Sequence, residues 1–374
     1  MDPLRVAVVG LGVMAQVVYL PLLARRRDVF KVCAVCDLDR NHAETLGREL
    51  SVPAYDDAAA MMDAGGFEAV IILTAGSHAR LVKDALDRRY WVLCESPLAY
   101  SRAELNGIPG DARLMVGCAK QYDPATYRLQ EELHKVGGAG AVRQMDISIL
   151  HPSDESQLLF ARARASRPVS ERLAVQREAD DEVLTAALGT DSERLRRLYA
   201  QVVLGGVGQE LALMRLLFGV PATVDHVSVW PADVFPPSIE VSGVLLDSGC
   251  GRYGLRRHCL PSYPAYHETV AVHHEHGSLE LDFLTPYLLN APTTLTVTSR
   301  VGTTERKAVY RDIAEAFERQ LIAFNRFVTE EEPPLTGIEG ALADIGAAQR
   351  IIRRYAEWAG IPAKVERAEE EGAQ

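Results

Sequence analysis

The sequence predicts an α/β fold: an N-terminal doubly wound parallel sheet, then a C-terminal α+β domain on a large, mostly antiparallel sheet. Three observations predict it. Short apolar runs alternate with helical stretches through residue 118, as in a parallel sheet covered on both faces. A glycine-rich turn follows the first of these runs directly. After Pro124 the pattern changes to β-rich segments separated by turn residues.

Taken in order, residues 4–9 (LRVAVV) form a strand ending at Gly10, and 13–26 are helix-like. Residues 31–36 (KVCAVC) are the second strand, followed by a helix over 40–50. Strands over 68–73, 91–94 and 114–118 alternate with helices over 78–89 and 101–107. A helix over 125–136 and a strand over 141–150 begin the second domain. Residues 154–200 are charged, mostly helical and longer than the fold requires, which reads as a solvated elaboration or as a lid over a cleft. An amphipathic helix over 202–218 stops at Gly219, residues 222–310 are β-rich, and helices return at 311–330 and 338–358. The domains are therefore expected at 1–124 and 125–364, with a disordered acidic tail over 365–374.

With 374 residues the chain exceeds what one core usually serves. A net charge of −11 excludes a non-specific nucleic-acid binder, which needs a positive field. The N-terminus has no basic segment leading into an apolar run, and no apolar stretch reads as a bilayer span, so a cytoplasmic protein without membrane partners is expected. Six cysteines in this length are not a disulfide framework. Cys33 and Cys36 form a C-x-x-C inside a strand, where period 2 turns them to opposite faces and leaves them inert.

The turn Gly10-Leu11-Gly12-Val13-Met14-Ala15 lies between a strand and a helix, the context that makes a G-x-G-x-x-A pattern informative. Gly10 permits the tight turn, Gly12 lets backbone approach a pyrophosphate, and Ala15 allows close helix–strand packing. The backbone at Val13 and Met14 opens the helix whose N–H groups receive phosphate. Asp37 ends the next strand and is placed to accept hydrogen bonds from ribose hydroxyls, which favours NAD; nearby Arg40 leaves NADP open.

Several segments resemble the Gfo/Idh/MocA oxidoreductases: VAVVGLGVMAQVVYLPLL with its Tyr19-Leu20-Pro21 tail, AVIILTAGSHARLVKDAL with Thr74 and His78, VLCESPLAYSRAE, VGCAKQYDP, and more weakly LTGIEGALADI at 335–345. The resemblance implies a Rossmann domain and an α+β domain with an open sheet, substrate held between sheet and nicotinamide, and hydride transfer on a sugar, cyclitol or related compound. It also implies that Thr74, His78, Glu95 and Lys120 adjoin the cofactor, and that subunits pair into dimers or tetramers through the C-terminal sheet.

The sequence departs from that family at two points. Its motif is Glu95-Ser96-Pro97, with serine in the family's lysine position, and Gln209 stands where a histidine is expected, followed by Glu210. Neither a serine hydroxyl nor a glutamine titrates usefully. Lys120, one of only six lysines, is the first replacement: either a proton donor with a lowered pKa or a cation that fixes substrate. Tyr19, Tyr122, His151 and Glu210 are weaker candidates. His273-His274-Glu275-His276 reads as a hairpin tip and not a metal site, and residues 259–267 read as a cleft wall, a subunit interface or an edge loop. An NAD(P)-linked oxidoreductase acting on a small cyclic substrate leads; a redox-neutral lyase, epimerase or cyclase, or a non-catalytic dinucleotide sensor, follows.

Overall fold

The computed structural model describes residues 2–153, 163–164, 170–245 and 251–366. Its first sheet has six parallel strands in the order β3-β2-β1-β4-β5-β6. These are β1 (Leu4–Val9), β2 (Phe30–Cys36), β3 (Ala54–Tyr55), β4 (Ala69–Ile72), β5 (Trp91–Glu95) and β6 (Leu114–Gly117). Helices α1 (Leu20–Arg25), α2 (Arg40–Leu50), α3 (Ala58–Ala64) and α4 (Ala79–Asp87) make the crossovers. The sequence reading had missed β3 and α3. Strand β3 is only two residues long, and α3 is marked mainly by its N-cap, Asp57, which accepts from Ala60 N at 2.9 Å.

The C-x-x-C expectation is corrected. The β1–β2 register slips between Val6 and Ala7, so β2 carries an extra residue. That bulge resets the alternation and turns both Cys33 and Cys36 toward the same core cluster.

A short helix α5 (Ala119–Tyr122) leads into α6 (Pro124–Lys135) and the second sheet. Its eight strands run β14-β13-β12-β11-β7-β10-β9-β8, with β7–β10 the one parallel pair. They are β7 (Val142–His151), β8 (His226–Trp230), β9 (Ser238–Val244), β10 (Arg252–Cys259), β11 (His267–His274), β12 (Gly277–Phe283), β13 (Thr294–Val301) and β14 (Thr304–Arg311). Alternation puts Ile147, Ile149, Leu255, Val270 and Leu281 on the buried face.

Helices α7 (Ser170–Leu188) and α8 (Glu193–Arg197) follow β7. A π-helical run over Leu198–Leu204 then joins α9 (Gly205–Phe218). Contrary to the amphipathic reading, α9 is buried on nearly every side, because α11 covers the face that the sheet leaves. The continuous run Glu193–Phe218 has the length and apolarity of a membrane span, which the sequence reading did not find. With 61% of its apolar window inside the fold, it is a core helix here.

The last helices, α10 (Ala316–Glu330) and α11 (Ile338–Ala359), return to the first sheet. Leu321 and Phe324 join the core on one face of that sheet, and Ile338, Ala341 and Ile345 join the core on the other. Helix α11 then enters the second core through Ile351 and Ile352, so one helix ties both cores together. Arg215 of α9 clamps it, donating to both Asp344 oxygens at 2.7 and 2.9 Å, and Gly340 leaves the space the guanidinium occupies. At the expected tail, Val365 is buried and Glu366 accepts from Arg102 N at 3.0 Å; positions 367–374 lie outside the described residues, as do 154–162 and 165–169 of the charged segment.

Candidate active site

The C-terminal ends of β1, β2, β4, β5 and β6 form one edge, where ligands of open α/β sheets bind. Gly10 has φ +87°, and a Cβ there would lie 2.6 Å from Thr74 N, so only glycine passes between β1 and β4. A Cβ on Gly12 would meet nothing within 4 Å, which leaves an open cradle over the turn. The turn runs into the helical backbone of Val13 and Met14, then a π-helical run Ala15–Tyr19. Asp37 faces it, accepting from Leu11 N and Asp39 N at 2.9 Å each. Arg40 is exposed and paired with Glu44 at 2.9 Å. The Thr74 hydroxyl is buried without a hydrogen-bond partner at the end of β4. A tight glycine turn, an open cradle, an acidic acceptor and an orphaned hydroxyl along one edge fit a dinucleotide.

His78 does not face that cradle. It is buried, with ring nitrogens 2.7 Å from the Thr74 carbonyl and 2.6 Å from that of Pro97. Burial pushes its pKa below the usual histidine value. The ring thus ties the loop after β4 to the loop after β5.

Tyr19 is fully buried and donates to Glu95, while Gln320 Nε2 donates to the Tyr19 oxygen at 2.8 Å. This tyrosine supports the Glu95-Ser96-Pro97 loop from beneath instead of reaching a cleft. Burial pushes the Glu95 carboxyl up to about 7 against the hydrogen bonds from Tyr19 and Ser96 N. The Ser96 hydroxyl lies 3.9 Å from where a Gly208 Cβ would be, so this loop meets α9 at a glycine. Gln209 is half-buried, and its carbonyl accepts from the Cys118 thiol at 3.7 Å.

Lys120 lies three residues beyond the end of β6, on α5. Its ammonium donates to both oxygens of Glu268 at 2.6 Å and also to Glu210, and it sits 5.3 Å from the Phe283 ring centroid. Burial alone would lower the Lys120 pKa; the two carboxylates outweigh it and hold it well above the usual value. This overturns the expected lysine of lowered pKa. Burial instead raises the Glu268 carboxyl to about 7, against the pull of Lys120. Tyr266 donates to Glu268 and meets His151 edge-on at 5.8 Å. Within this cluster the titratable group poised near neutrality is therefore Glu268, which sequence reasoning passed over. Its one signal was a lone carboxylate in register with Val270 and Val272 on the inward face of β11.

Of the other candidates, Glu210 reaches the cluster, and Tyr122 is buried with its hydroxyl accepting from Leu335 N at 3.1 Å. His273 and His274 end β11 at a hairpin tip, and no group of three metal-ligating side chains occurs among the described residues.

Residues 4–111 match the profile of the GFO_IDH_MocA oxidoreductase family, NAD-binding Rossmann fold. Over these residues the chain carries the NAD-binding Rossmann domain that this family's model describes. It is 30% identical over 131 residues to inositol 2-dehydrogenase 1 of Paenarthrobacter aurescens, covering 32% of this chain and 38% of that protein. It is 29% identical over 180 residues to the uncharacterized oxidoreductase YfiI of Bacillus subtilis, covering 42% and 45%. The match thus spans about two-fifths of the length of these curated Gfo/Idh/MocA relatives. Among solved structures, UDP-N-acetylglucosamine 3-dehydrogenase GnnA from Acidithiobacillus ferrooxidans shares the fold at TM-score 0.66 and 17% identity, over 95% of this chain and 98% of that one. KijD10, a 3-ketoreductase from Actinomadura kijaniata solved with TDP-benzene and NADP, does so at 0.68 and 16%, over 94% and 97%. These two likenesses show that the chain shares their fold over nearly its whole length.

Proposed function

We propose that this chain is an NAD(P)-dependent oxidoreductase that moves a hydride to or from a carbinol or ketone carbon of a sugar-like or other small cyclic substrate. The observation that carries the reading is the Lys120–Glu210–Glu268–Tyr266 cluster, whose Lys120 follows β6 at the same sheet edge as the Gly10–Ala15 turn. When bound, the dinucleotide supplies the hydride donor or acceptor. Gly12, Val13 and Met14 hold its phosphates, Asp37 takes ribose hydroxyls, and Thr74 and the Glu95 loop border its nicotinamide end. NAD is preferred, because Asp37 repels a 2′-phosphate and Glu44 already engages Arg40.

Lys120, locked as a cation, stabilises negative charge on the reacting oxygen. Glu268 exchanges the proton through the Tyr266 hydroxyl, since Glu268 itself is fully buried. A carboxyl poised near 7 suits both directions of such a transfer. Ser96 and Gln209 offer hydrogen bonds to substrate oxygens in the place of the family's lysine and histidine. A second copy of the chain covers the outer face of the second sheet in a dimer or tetramer.

The test is a panel of cyclic ketones, imines and nucleotide sugars with NADH, followed at the nicotinamide absorbance. Loss of that absorbance supports the reading; product formed without net cofactor change overturns it in favour of a redox-neutral reaction. With a substrate in hand, alcohol oxidation rises as pH passes about 7, and Glu268→Gln removes that limb.

A further inference from the structure

We infer that Arg257 anchors a carboxylate carried by the substrate. The inference deepens the proposed oxidoreductase reading and rests on it for the identity of the cleft.

Arg257 is 7% exposed, and its side chain has one hydrogen-bond acceptor among the described residues, the Cys259 sulfur at 2.8 Å. No carboxylate among them lies within ion-pairing distance of it. Its neighbour shows the contrast: Arg256 points to the other face of β10 and pairs with Glu240 at 3.0 Å and Asp146 at 3.5 Å. Of its five donors one is spent on the thiol, and none of the others is a fully buried orphan, so they are left facing what solvent reaches them. Such a group is accounted for when an anion arrives.

Its position puts that anion in the reaction cleft. Arg257 pairs with Ile149 on β7, and Ile149 pairs with Glu268 on β11. Arg257 and Glu268 therefore stand in one row on the inward face, two strands apart, or about 10 Å. The same relation recurs on α9. Gly206, whose missing side chain makes room for the guanidinium (a Cβ would lie 3.0 Å from Nε), is one turn before Glu210, which binds Lys120. Ser96 meets the helix between them, at Gly208. A substrate that engages both ends of the row would carry a hydroxyl toward Lys120 and an acid group toward Arg257.

A carboxylate fits better than a phosphate. One guanidinium fork matches one carboxylate bidentately. The cation at the other end of the row, Lys120, is already claimed by two carboxylates, which would repel a dianion. The substrate class is thus a cyclic hydroxy acid, such as a uronic acid or a carboxylated cyclitol.

The test measures binding to the NAD-loaded protein by calorimetry in matched pairs: D-glucuronate against D-glucose, and quinate against myo-inositol, with glucose 6-phosphate as the dianion. At least one acid is expected to bind roughly tenfold or more tightly than its neutral partner, as a charge-assisted hydrogen bond allows. Arg257→Met should erase that preference, and Arg257→Lys should keep part of it. Equal binding within both pairs, a preference that survives Arg257→Met, or tighter binding of glucose 6-phosphate than of either acid overturns the carboxylate anchor. The wild-type comparison stands even if Arg257→Met does not fold. NADH fluorescence titration on the same samples separates the two ideas: absent NADH binding sinks the oxidoreductase reading, whereas the acid preference is read without turnover.

Discussion

Both carboxylate oxygens of Glu268 lie 2.6 Å from the Lys120 ammonium, joining the end of one sheet to the inner face of the other. Glu210 takes a further donor of the same ammonium, so one cation faces two buried acids. Removing the cation while leaving the acids should be costly. Lys120→Met is expected to destabilise the fold by about 3–5 kcal/mol, the usual cost of breaking a buried pair. Adding Glu268→Gln should return part of that loss. Urea unfolding of the single and double variants measures both, and a Lys120→Met protein as stable as wild type would show that the pairing carries no weight.

Two buried carboxyls, one in this cluster and one beneath the Ser96 loop, give stability a pH dependence of definite sign. Glu268 and Glu95 titrate near 7 in the fold, against an ordinary value of 4.5. The folded state therefore holds more protons than the unfolded chain between those values, and stability falls as pH rises through that window. Each group contributes at most about 1.4 kcal/mol per pH unit. Chemical denaturation from pH 4.5 to pH 8 should show the decline, and Glu95→Gln should make it shallower. A midpoint that rises over this range contradicts the raised carboxyls.

Gly10 and Gly12 separate packing from ligand contact. A side chain on Gly10 collides with the backbone of Leu73 and Thr74, at a φ that L-residues avoid. Gly10→Ala should therefore lower the unfolding midpoint as well as NADH affinity. Gly12→Val projects into open space, so its stability should stay within about 0.5 kcal/mol of wild type while NADH binding is lost. Thermal melts alongside fluorescence titration distinguish the two. Intact NADH binding by Gly12→Val would remove the turn from the cofactor site.

What the sequence made legible follows from how local each feature is. The Gly10–Ala15 turn, Asp37 and the first sheet depend on neighbouring residues and on strands buried on both faces, so apolar runs and glycine spacing announce them. The Lys120 cluster depends on three elements brought together only by the β7–β11 register and by α9 lying against the sheet. Lys120 could be singled out as a rare residue, but its partners could not be counted, and so a proton donor of lowered pKa and a fixed cation stayed equally open. The β2 bulge that redirects Cys33 is invisible to a period-2 rule, because the slip is set against β1.

The charged segment after β7 also touches the cofactor edge. Arg172 of α7 donates to the Asp56 carbonyl at 2.9 Å and pairs with its carboxylate at 3.1 Å, while Gln176 donates to the Ala75 carbonyl at 3.4 Å. Asp180 packs against Gly76, where a Cβ would lie 2.6 Å from its oxygen. Upstream, Arg164 N donates to Gln16 Oε1, and Gln16 Nε2 to the Arg164 carbonyl, both at 2.9 Å beside the glycine turn. These contacts lay α7 and residue 164 across the loops after β1, β3 and β4, the edge proposed above for the dinucleotide. Exposed pairs of this kind are worth about 0.2–1 kcal/mol each. Arg172→Ala combined with Gln176→Ala should therefore speed NADH release by roughly two- to fivefold while leaving the melting midpoint nearly unchanged. Stopped-flow displacement of NADH measures the rate. Release at the wild-type rate would mean that α7 rests on the edge without governing passage across it.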